Sequence, residues 1–560
     1  MAAFALLGYV RFISTSRLGT ACHQLARYGT SGVKGPDARY DTPGETLEAF
    51  PRRQPALALA MHAAACRSRA ESATPELYLL VMPGMWRQGR PDKHGRMANN
   101  GGDGADALVI FGITGDLARK MTFRALYRLE ERKLLNCPVI GAASDEITAD
   151  QLAERARAAI LSAGEGLDDA VFGRLASRMS YLSGDVTDGA LFRKLAAAIG
   201  PRRKPVYYLE VPPSLFGPIV DQLAAAKLLR DGRVAVEKPF GSDLHSAREL
   251  NRRLHRALRE DQILRVDHFL GKEPVIGMEY LRFANFALAE LWDRKSVSCV
   301  QITMAEDFGV EGRGTFYDAI GALRDVVQNH LLQVLALIAM DPPAGGSADD
   351  LQDKKAEVLR AMPAANPRHY VRGQYEGYTE TPGVAPDSAT ETFVALRLEI
   401  DNWRWAEVPV FLRAGKAMPH RATEVRLLLR RTPRLAFLPT SGRADSNQIV
   451  LRIDPSPGMR LHLAALARES WRAVHLDSSF VRDLGEPMEP YERLLHAAIT
   501  GDHQLFARQD SVEETWRIMQ PLLDDPPEAR SYQRLSWGPA AADSLIRGHP
   551  RWQEPWLAQG

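Results

Sequence analysis

The sequence predicts an α/β domain built on a doubly wound parallel sheet, followed by an α+β domain with a large, mainly antiparallel sheet. The first domain is indicated by a short apolar run, Ala107–Phe111, which leads through a glycine-containing turn into a helical stretch ending near Leu135. Such a run suits a strand that is buried on both faces of a parallel sheet. Three further apolar runs alternate with helical segments, which favours double winding. They cover residues 138–141, 206–209 and 233–236.

The second domain is indicated by a change of pattern after residue 297. Apolar runs that are β-rich or alternate with polar residues become frequent there, and such runs are typical of antiparallel strands. They cover residues 297–304, 392–400, 425–429 and 449–453. We therefore predict a first domain over 103–266 and a second domain over 267–545.

Composition and charge limit the classes of protein to consider. The chain has 560 residues, of which 45% are hydrophobic and 25% charged, as is typical of a globular protein with more than one core. The formal net charge is +2, which does not indicate a nucleic-acid partner. No apolar run is long enough to span a bilayer, so we expect no membrane insertion.

The four cysteines are Cys22, Cys66, Cys137 and Cys299. They are widely scattered and form no CxxC pair, which argues against a zinc site and against a disulfide scaffold. A reducing, cytoplasmic compartment fits this usage best. We therefore expect no metal centre built on cysteine.

Residues 1–98 differ in composition from the rest of the chain. They hold 13 Lys/Arg against 7 Asp/Glu, and Pro, Gly, Arg and Ala are scattered without sustained periodicity. We predict a disordered N-terminal extension over 1–102. The basic start with its Ser and Thr residues also resembles an organellar transit peptide, and Met97 leaves a later translation start as a third interpretation.

The turn after the first strand has the sequence GITGDLA, from Gly112 to Ala118. A strand, a glycine turn and a helix in succession allow backbone N–H groups and a helix N-terminus to hold a pyrophosphate. Gly112 and Gly115 would let the backbone approach the phosphates, because neither residue has a Cβ. The spacing differs from the common GxGxxG, so this segment alone is interpreted equally well as a plain tight turn.

The end of the second strand is where a Rossmann-like domain reads the adenosine ribose of its cofactor. An acid at that point favours the free 2′-hydroxyl of NAD, whereas an arginine favours the 2′-phosphate of NADP. This chain has Ser144, Asp145 and Glu146 there. The local sequence therefore leaves the choice between NADP and NAD open.

Chemistry-bearing residues concentrate between positions 265 and 330. The run Asp267–Glu273 contains His268 and Lys272, which would share a face if the run is helical. A lysine and a histidine on one face can clamp a phosphate, although a solvated charged face is the other interpretation. A metal site is disfavoured, since no second histidine stands at ligand spacing and the lysine would repel a cation.

Lys238 lies in the run EKPFG, directly after the apolar run 233–236. The carboxyl end of a strand is where open α/β sheets bind their ligands, so Lys238 is a candidate site residue. A surface cation without a ligand is the alternative interpretation. The position alone does not decide between the two.

A second segment of interest, Gly321–Met340, is apolar on most faces and is predicted to be a buried helix. It also carries five polar or charged residues: Arg324, Asp325, Gln328, Asn329 and His330. Buried groups of this kind need partners, which a functional cleft would supply, but a core histidine bonded to a backbone carbonyl is the alternative. At about 100° per residue, Asp325 and His330 are about 140° apart on an α-helix, so we expect them to contact different parts of a ligand.

Taken together, these runs resemble the glucose-6-phosphate dehydrogenase family over about residues 106–523. The family's DHYLGKE signature is matched by Asp267–Glu273, with Phe269 in place of the tyrosine. The other matching motifs are EKPFG at 237–241, LRFAN at 281–285, EGRG at 311–314, RDVVQNHLLQ at 324–333 and LRAGK at 412–416. These motifs occur along this chain in the same order as in the family, which argues against a chance match.

The resemblance implies oxidation of glucose 6-phosphate to 6-phosphogluconolactone with hydride transfer to NADP, the first step of the oxidative pentose phosphate pathway. It implies that His330 is the general base and that Asp267 holds it. It places the substrate on Lys238, His268, Lys272, Glu306, Asp325, Lys416 and Arg421. It places the cofactor on Gly112, Thr114, Gly115, Asp116, Leu117, Ser144, Tyr208, Pro212 and Lys238. A cytoplasmic homodimer or homotetramer, assembled through the large sheet, is also implied.

Three departures from the family pattern bear on these expectations. NADP-specific members carry an arginine where this chain has Ser144, so NAD use stays open. A glutamine that contacts the substrate in some members is here Asp454. The tyrosine and lysine that hold an additional structural NADP in animal members align with Arg460 and His462, so we expect no such second site. A catalytically inactive nucleotide sensor and a dehydrogenase of another sugar are the alternatives, and both predict loss of residues that this chain retains.

Overall fold

The computed structural model describes residues 104–164, 166–202, 204–433, 446–467 and 470–557. The extension predicted over 1–102 lies outside these residues and stays a prediction. Within the described residues the chain forms two sheets, each accompanied by helices. None of the described helices is both long and apolar enough to cross a membrane.

The first sheet has seven strands: β1 (Ala107–Phe111), β2 (Val139–Ala143), β3 (Met179–Ser183), β4 (Pro205–Leu209), β5 (Arg233–Glu237), β6 (Ile263–Val266) and β15 (Phe506–Ala507). Their order across the sheet is β3-β2-β1-β4-β5-β6-β15. The first six strands are parallel, and β15 pairs antiparallel with β6 at the edge. This is the doubly wound order of dinucleotide-binding domains.

Strand β1 is buried along its whole length, as the sequence predicted. Val109 and Phe111 belong to one apolar cluster, whereas Leu108 and Ile110 belong to a second one. Side chains of a strand alternate between its two faces, so helices cover the sheet on both sides. The helices between these strands are α1 (Phe123–Glu131), α2 (Ala149–Ser162), α3 (Asp169–Arg178), α4 (Gly189–Ile199), α5 (Phe216–Ala225) and α6 (Leu244–Leu254), with a π-helical turn (Ala118–Thr122) before α1.

The second sheet has nine strands: β7 (Val297–Ala305), β8 (Tyr370–Tyr375), β9 (Phe393–Leu398), β10 (Val410–Gly415), β11 (Ala422–Leu429), β12 (Gln448–Asp454), β13 (Gly458–Ala467), β14 (Ser470–Ser479) and β16 (Arg530–Tyr532). Their order is β14-β13-β12-β11-β7-β10-β9-β8-β16. The pairs β7–β10 and β8–β16 are parallel, and all other pairs are antiparallel. The predicted large, mainly antiparallel sheet is therefore confirmed.

The helices of this second part are α7 (Glu273–Phe283), α8 (Phe286–Leu291), α9 (Gly314–Asp318), α10 (Leu332–Ala339), α11 (Ala348–Arg360), α12 (Phe480–Leu484), α13 (Pro490–Thr500) and α14 (Gln509–Asp524). A π-helix (Leu323–Leu331) runs directly into α10. Short 3₁₀ segments lie at 213–215, 260–262, 268–271, 367–369, 378–380 and 540–544.

The chain returns to the first sheet near its C-terminal end. Strand β15 extends that sheet, and Tyr491, Leu494 and Leu495 of α13 pack into the apolar cluster that contains Leu108. Residues beyond 490 therefore contribute to the packing of the first sheet. The division into 103–266 and 267–545 stays a prediction.

Candidate active site

Lys238 and Asp267 lie side by side because they follow two neighbouring parallel strands. Lys238 comes directly after β5 and Asp267 directly after β6, and Glu237 at the end of β5 pairs in register with Val266 at the end of β6. Both side chains thus leave the carboxyl edge of the first sheet. Open α/β sheets bind their ligands at this edge.

The second sheet gathers four charged residues at one of its ends. Glu306 follows β7 and Lys416 follows β10, and these strands are parallel with Ala305 opposite Gly415. Arg421 precedes β11, which runs antiparallel to β7, and Asp454 ends β12, which runs antiparallel to β11. The alternating strand directions therefore bring residues from four separate parts of the sequence together.

The predicted buried helix over 321–340 is present, but its first part differs from the expected α-helix. Leu323–Leu331 is π-helical and only Leu332–Ala339 is α-helical. In a π-helix the backbone bonds link residues five apart, so Asp325 and His330 lie closer in angle than an α-helix would place them. The expected separation of about 140° is therefore wrong, because it assumed an α-helical turn.

His330 and Asp267 form a buried pair at the centre of the site. His330 Nδ1 is hydrogen-bonded to Asp267 Oδ1, and the same carboxylate oxygen accepts the backbone N–H of Phe269 at 3.0 Å. The His330 side chain is 1% exposed and that of Asp267 is 2% exposed. The Phe269 ring stacks on His330 with centroids 4.5 Å apart, so packing and hydrogen bonding together fix the imidazole.

The charge states of this pair follow from burial and from its neighbours. Burial alone would raise the pKa of Asp267, but the adjacent His330 outweighs it and lowers that pKa well below its usual range. Burial lowers the pKa of His330 below the ordinary value of 6.5. The carboxylate of Asp267 acts in the opposite direction and raises this pKa, whereas the cation of Lys238 lowers it further. Asp267 is therefore ionised and His330 neutral near pH 7.

A chain of ion pairs connects the two sheets beside this pair. Lys238 Nζ donates to the backbone carbonyl of Asp325 at 2.8 Å and to its Oδ1 at 3.2 Å. Lys416 Nζ lies 2.5 Å from Glu306 Oε2 and 4.0 Å from Asp325 Oδ2. Burial would raise the pKa of Asp325, but Lys238 and Lys416 lower it to about 2. The structure thus brings together four of the side chains predicted to contact the substrate.

The remaining three predicted substrate residues, His268, Lys272 and Arg421, line one cavity of about 890 Å³ together with Asp454 and Tyr491. The expectation that His268 and Lys272 share a helix face is wrong. His268–Gly271 is a 3₁₀ turn, and Lys272 has extended backbone dihedrals before α7 begins at Glu273. The two side chains reach the same cavity because the chain turns there.

His268 is neutral in this arrangement. Burial lowers its pKa well below the ordinary value, and the nearby His330 and Lys238 add to the effect. Its ring lies edge-on to His330, with centroids 4.5 Å apart. A neutral imidazole can donate one hydrogen bond, so at the predicted phosphate site the positive charge would come from Lys272 and Arg421.

The glycine turn after β1, predicted to hold a pyrophosphate, is tightly folded. Gly112 has a φ of +81°, and a Cβ at that position would lie 2.2 Å from the carbonyl oxygen of Glu210. Gly115 and Asp116 are exposed, and the helical segment begins at Ala118 just after Leu117. The backbone at the head of this helix is therefore open to a ligand, while Gly112 permits the turn itself.

Thr114 connects this turn with the end of β2. Its hydroxyl donates to Asp145 Oδ2 at 2.5 Å, and Arg155 of α2 lies 3.5 Å from Asp145 Oδ1. Ser144 is exposed beside them. The sequence-based reasoning missed Arg155, because it searched only the three residues that follow the strand and not the helix that packs beside it.

Tyr208 and Pro212 occupy different environments at the end of β4. Tyr208 is buried and its hydroxyl donates to Glu237, whereas Pro212 is exposed just beyond the strand. Burial raises the pKa of Glu237 to about 7 and that of Glu210 to about 8. The two buried carboxyl groups at the sheet edge were not identified from the sequence, since neither belongs to a charged cluster.

Asp267, His268 and His330 have ligand atoms within 4.8 Å of one another, a spacing that a metal ion could use. Asp267 and His330 are, however, already hydrogen-bonded to each other. The positive charge of Lys238 acts on all three residues and would oppose a further cation. The expectation of no metal centre stays a prediction.

The first sheet is doubly wound, and a glycine turn and a buried histidine–aspartate pair lie at its carboxyl edge. This combination is typical of the oxidoreductases that use a nicotinamide dinucleotide. Residues 109–276 match the model of the glucose-6-phosphate dehydrogenase NAD binding domain, and residues 279–553 match that of the glucose-6-phosphate dehydrogenase C-terminal domain. The chain belongs to the glucose-6-phosphate dehydrogenase family. The family and the two-part fold class predicted from the sequence are thereby confirmed.

Individual relatives agree with this assignment. Glucose-6-phosphate 1-dehydrogenase 1 of Mycobacterium tuberculosis (strain ATCC 25618 / H37Rv) is 67% identical over 464 residues, which cover 83% of this chain and 99% of the relative. The crystal structure of glucose-6-phosphate 1-dehydrogenase from Mycobacterium avium has 66% identity and a TM-score of 0.78, covering 82% of this chain and all of that one. A glucose-6-phosphate dehydrogenase solved in complex with its substrate glucose-6-phosphate has 32% identity and a TM-score of 0.75, covering 81% of this chain and 99% of that one.

Proposed function

We propose that the protein oxidises D-glucose 6-phosphate to 6-phospho-D-glucono-1,5-lactone and passes the hydride to NADP. The reaction is the first step of the oxidative pentose phosphate pathway. The observation that carries the proposal is the buried His330–Asp267 pair, because its neighbour His268 lines the cavity that also holds Lys272 and Arg421. A base and a phosphate-binding site therefore adjoin each other.

His330 acts as the general base that removes the proton of the C1 hydroxyl. Its Nδ1 faces Asp267, so Nε2 is the nitrogen that accepts the proton. Asp267 holds the ring in this orientation and stabilises the imidazolium that forms. The lowered pKa of His330 keeps the base form available at neutral pH.

Glu306, Lys416, Asp325 and Lys238 position the sugar ring. Their ion pairs place two carboxylates and two ammonium groups in fixed positions before the substrate binds. Such groups can accept from and donate to the sugar hydroxyls without much rearrangement, which lowers the cost of orienting the substrate. His268, Lys272 and Arg421 bind the 6-phosphate at the other end of the molecule.

The cofactor binds along the carboxyl edge of the first sheet. Gly112, Thr114, Gly115, Asp116 and Leu117 would hold its pyrophosphate, and the exposure of Gly115 and Asp116 at the head of the helix fits this group. Ser144 would lie at its ribose, Tyr208 and Pro212 would flank the cofactor, and Lys238 would lie between the nicotinamide and the substrate. A nicotinamide dinucleotide held there would supply the acceptor for the hydride from C1 of the sugar.

Arg155 supports NADP as the cofactor. Its guanidinium lies 3.5 Å from Asp145, so from α2 it could take the role of the arginine that NADP-specific members carry at the position of Ser144. A bidentate arginine is suited to a 2′-phosphate. Asp145 supports a second candidate, NAD, because its carboxylate can accept the 2′-hydroxyl of an unphosphorylated ribose.

Purified protein with glucose 6-phosphate and either cofactor tests the function. The proposal expects reduction of the nucleotide, followed at 340 nm, and loss of activity when glucose replaces glucose 6-phosphate at the same concentration. No reduction with either cofactor would refute the proposed reaction. Reduction that is equally fast with glucose would refute the role of the phosphate site.

We also propose that the protein is a cytoplasmic homodimer or homotetramer that assembles through the second sheet. Cys137 and Cys299 are free and buried, which fits a reducing compartment. Strand β14 is the edge of the sheet among the described residues, and its Val474 and Leu476 are 41% and 53% exposed. Apolar side chains on an edge strand favour contact with a second copy. Light scattering of the purified protein would give the assembly size, and a monomeric mass would refute this proposal.

A further inference from the structure

Asp454 joins two cations of the proposed phosphate site. Thr423 of β11 pairs in register with Asp454 of β12, so Arg421, just before β11, comes to lie beside it. Two guanidinium nitrogens of Arg421 lie 2.9 and 2.8 Å from Asp454 Oδ2. Lys272 Nζ lies 3.3 Å from Asp454 Oδ1. Each carboxylate oxygen thus engages a different cation.

This arrangement resembles what a phosphate ester would form with the same cations. A phosphate offers three acceptor oxygens and carries a charge of about −1.5 to −2 at pH 7. Lys272 and Arg421 would bind it through charge-assisted hydrogen bonds, and these are the interactions that Asp454 makes here. The carboxylate and the phosphate therefore use the same donors.

We propose that Asp454 is an internal competitor of the substrate phosphate. In the free protein, Asp454 forms ion pairs with Lys272 and Arg421. When a phosphate binds, it must accept hydrogen bonds from these two cations while it lies next to the carboxylate of Asp454. Repulsion between the two anions and loss of the ion pairs both weaken the binding of a phosphorylated ligand. This inference rests on the proposed function, because it takes Lys272 and Arg421 as the phosphate-binding groups.

The exposure of the three side chains makes this exchange feasible. Lys272 is 15% exposed, Asp454 21% and Arg421 55%, so water can solvate each group when its partner changes. The Lys272 ammonium also lies 4.5 Å from the centre of the Phe269 ring, a contact that does not depend on Asp454. Lys272 consequently keeps its place when Asp454 releases it. Asp454 thus sets the affinity for the phosphate and not the chemistry at C1.

The test replaces Asp454 with asparagine, which keeps the shape of the side chain and removes its charge. We expect the dissociation constants of glucose 6-phosphate and of inorganic phosphate, measured by calorimetry, to fall about three- to tenfold. The kcat with glucose 6-phosphate should change less than twofold. Unchanged or weaker phosphate binding would overturn the proposal, since Asp454 would then be a support for the cations. Asp454→Gln gives the same comparison if the asparagine variant does not fold.

Asp477→Asn is the matched control. Asp477 pairs with Arg460 at 2.6 Å on neighbouring strands, so the change removes one negative charge from an ion pair that does not line the substrate cavity. We expect unchanged phosphate affinity in this variant. An equal gain in phosphate affinity in both variants would overturn the proposal, because the effect would then not depend on the contacts of Asp454 with Lys272 and Arg421. Inorganic phosphate binding is measured without turnover. It therefore tests Asp454 even if the wild-type protein fails to oxidise glucose 6-phosphate.

Discussion

The buried centre of the site and its exposed rim use charge in different ways. At the centre, His330 and Asp267 are 1% and 2% exposed, and each depends on a fixed partner. At the rim, Arg421 and Arg155 are 55% and 46% exposed, and each is paired with an aspartate that a ligand can replace. Charges that are screened by water exchange partners at low cost, whereas buried charges do not. We propose that the centre determines the reaction and that the rim determines affinity and cofactor preference.

Among the variants that leave His330 itself unchanged, Asp267→Asn should have the largest effect, because it acts at the buried centre. An amide cannot stabilise the imidazolium of His330 and also permits the wrong tautomer, so we expect kcat to fall by about 10³-fold. The dissociation constant of glucose 6-phosphate should stay within about threefold of wild type, since Asp267 is bonded to His330 and is not one of the residues assigned to the substrate. Steady-state kinetics and calorimetry measure the two quantities. A variant that loses binding instead of kcat would contradict the division between centre and rim.

Lys238→Gln should reduce kcat/KM by about 10²-fold and also change its pH dependence. In the wild type, kcat/KM falls as the pH decreases through the pKa of His330, which lies below 6.5 because the residue is buried. The Lys238 cation contributes to this lowering, so its removal raises the pKa of His330 and moves the acidic limb to higher pH. Profiles of kcat/KM between pH 4.5 and 8 measure the shift. A limb that stays in place, or moves to lower pH, would contradict the assigned coupling.

The sequence predicted the strands and the buried helix of this centre better than its local backbone geometry. Ala107–Phe111 forms the buried strand that its apolar run indicated, and the run at 321–340 forms the buried helix. The π-helical turn was missed because the apolar pattern is compatible with either helix type. The 3₁₀ turn before Lys272 was missed for a similar reason, since charge spacing does not report the backbone dihedrals between the charges.

The contacts between the charged side chains of the rim were the feature least predictable from the sequence. Arg155 and Asp145 are ten residues apart, and only the packing of α2 beside the end of β2 brings them together. Asp454 and Lys272 come from distant parts of the sequence and meet because α7, which begins just after Lys272, packs against β12. Comparison with a family pattern identified Asp454 as a departure, but gave no partner for it. The roles of all these side chains stay predictions.

Arg155→Ala tests the rim at the ribose end. We expect kcat/KM with NADP to fall by about 10- to 30-fold, because a charge-assisted contact to the 2′-phosphate is lost. The value with NAD should stay within twofold, which serves as the internal control. Arg157→Ala provides a matched variant, since Arg157 lies on the same helix and pairs with Asp169 instead. Equal losses with both cofactors would show that Arg155 has a structural role.

Ser144→Arg should have the smallest effect. An additional arginine at an exposed position after β2 would bring a second cation near a 2′-phosphate, so kcat/KM with NADP should rise about two- to fivefold. The ratio of specificity constants for NADP over NAD measures the change. A lower ratio would indicate that the ribose does not lie at this strand end.

The most direct test of the central assignment compares wild-type protein with its His330→Asn variant. With saturating glucose 6-phosphate and NADP, our account predicts steady nucleotide reduction by the wild type and a loss in kcat of about 10³- to 10⁴-fold in the variant. Binding of glucose 6-phosphate should persist in both. A variant that retains near-normal turnover would show that His330 is not the base and would contradict the account.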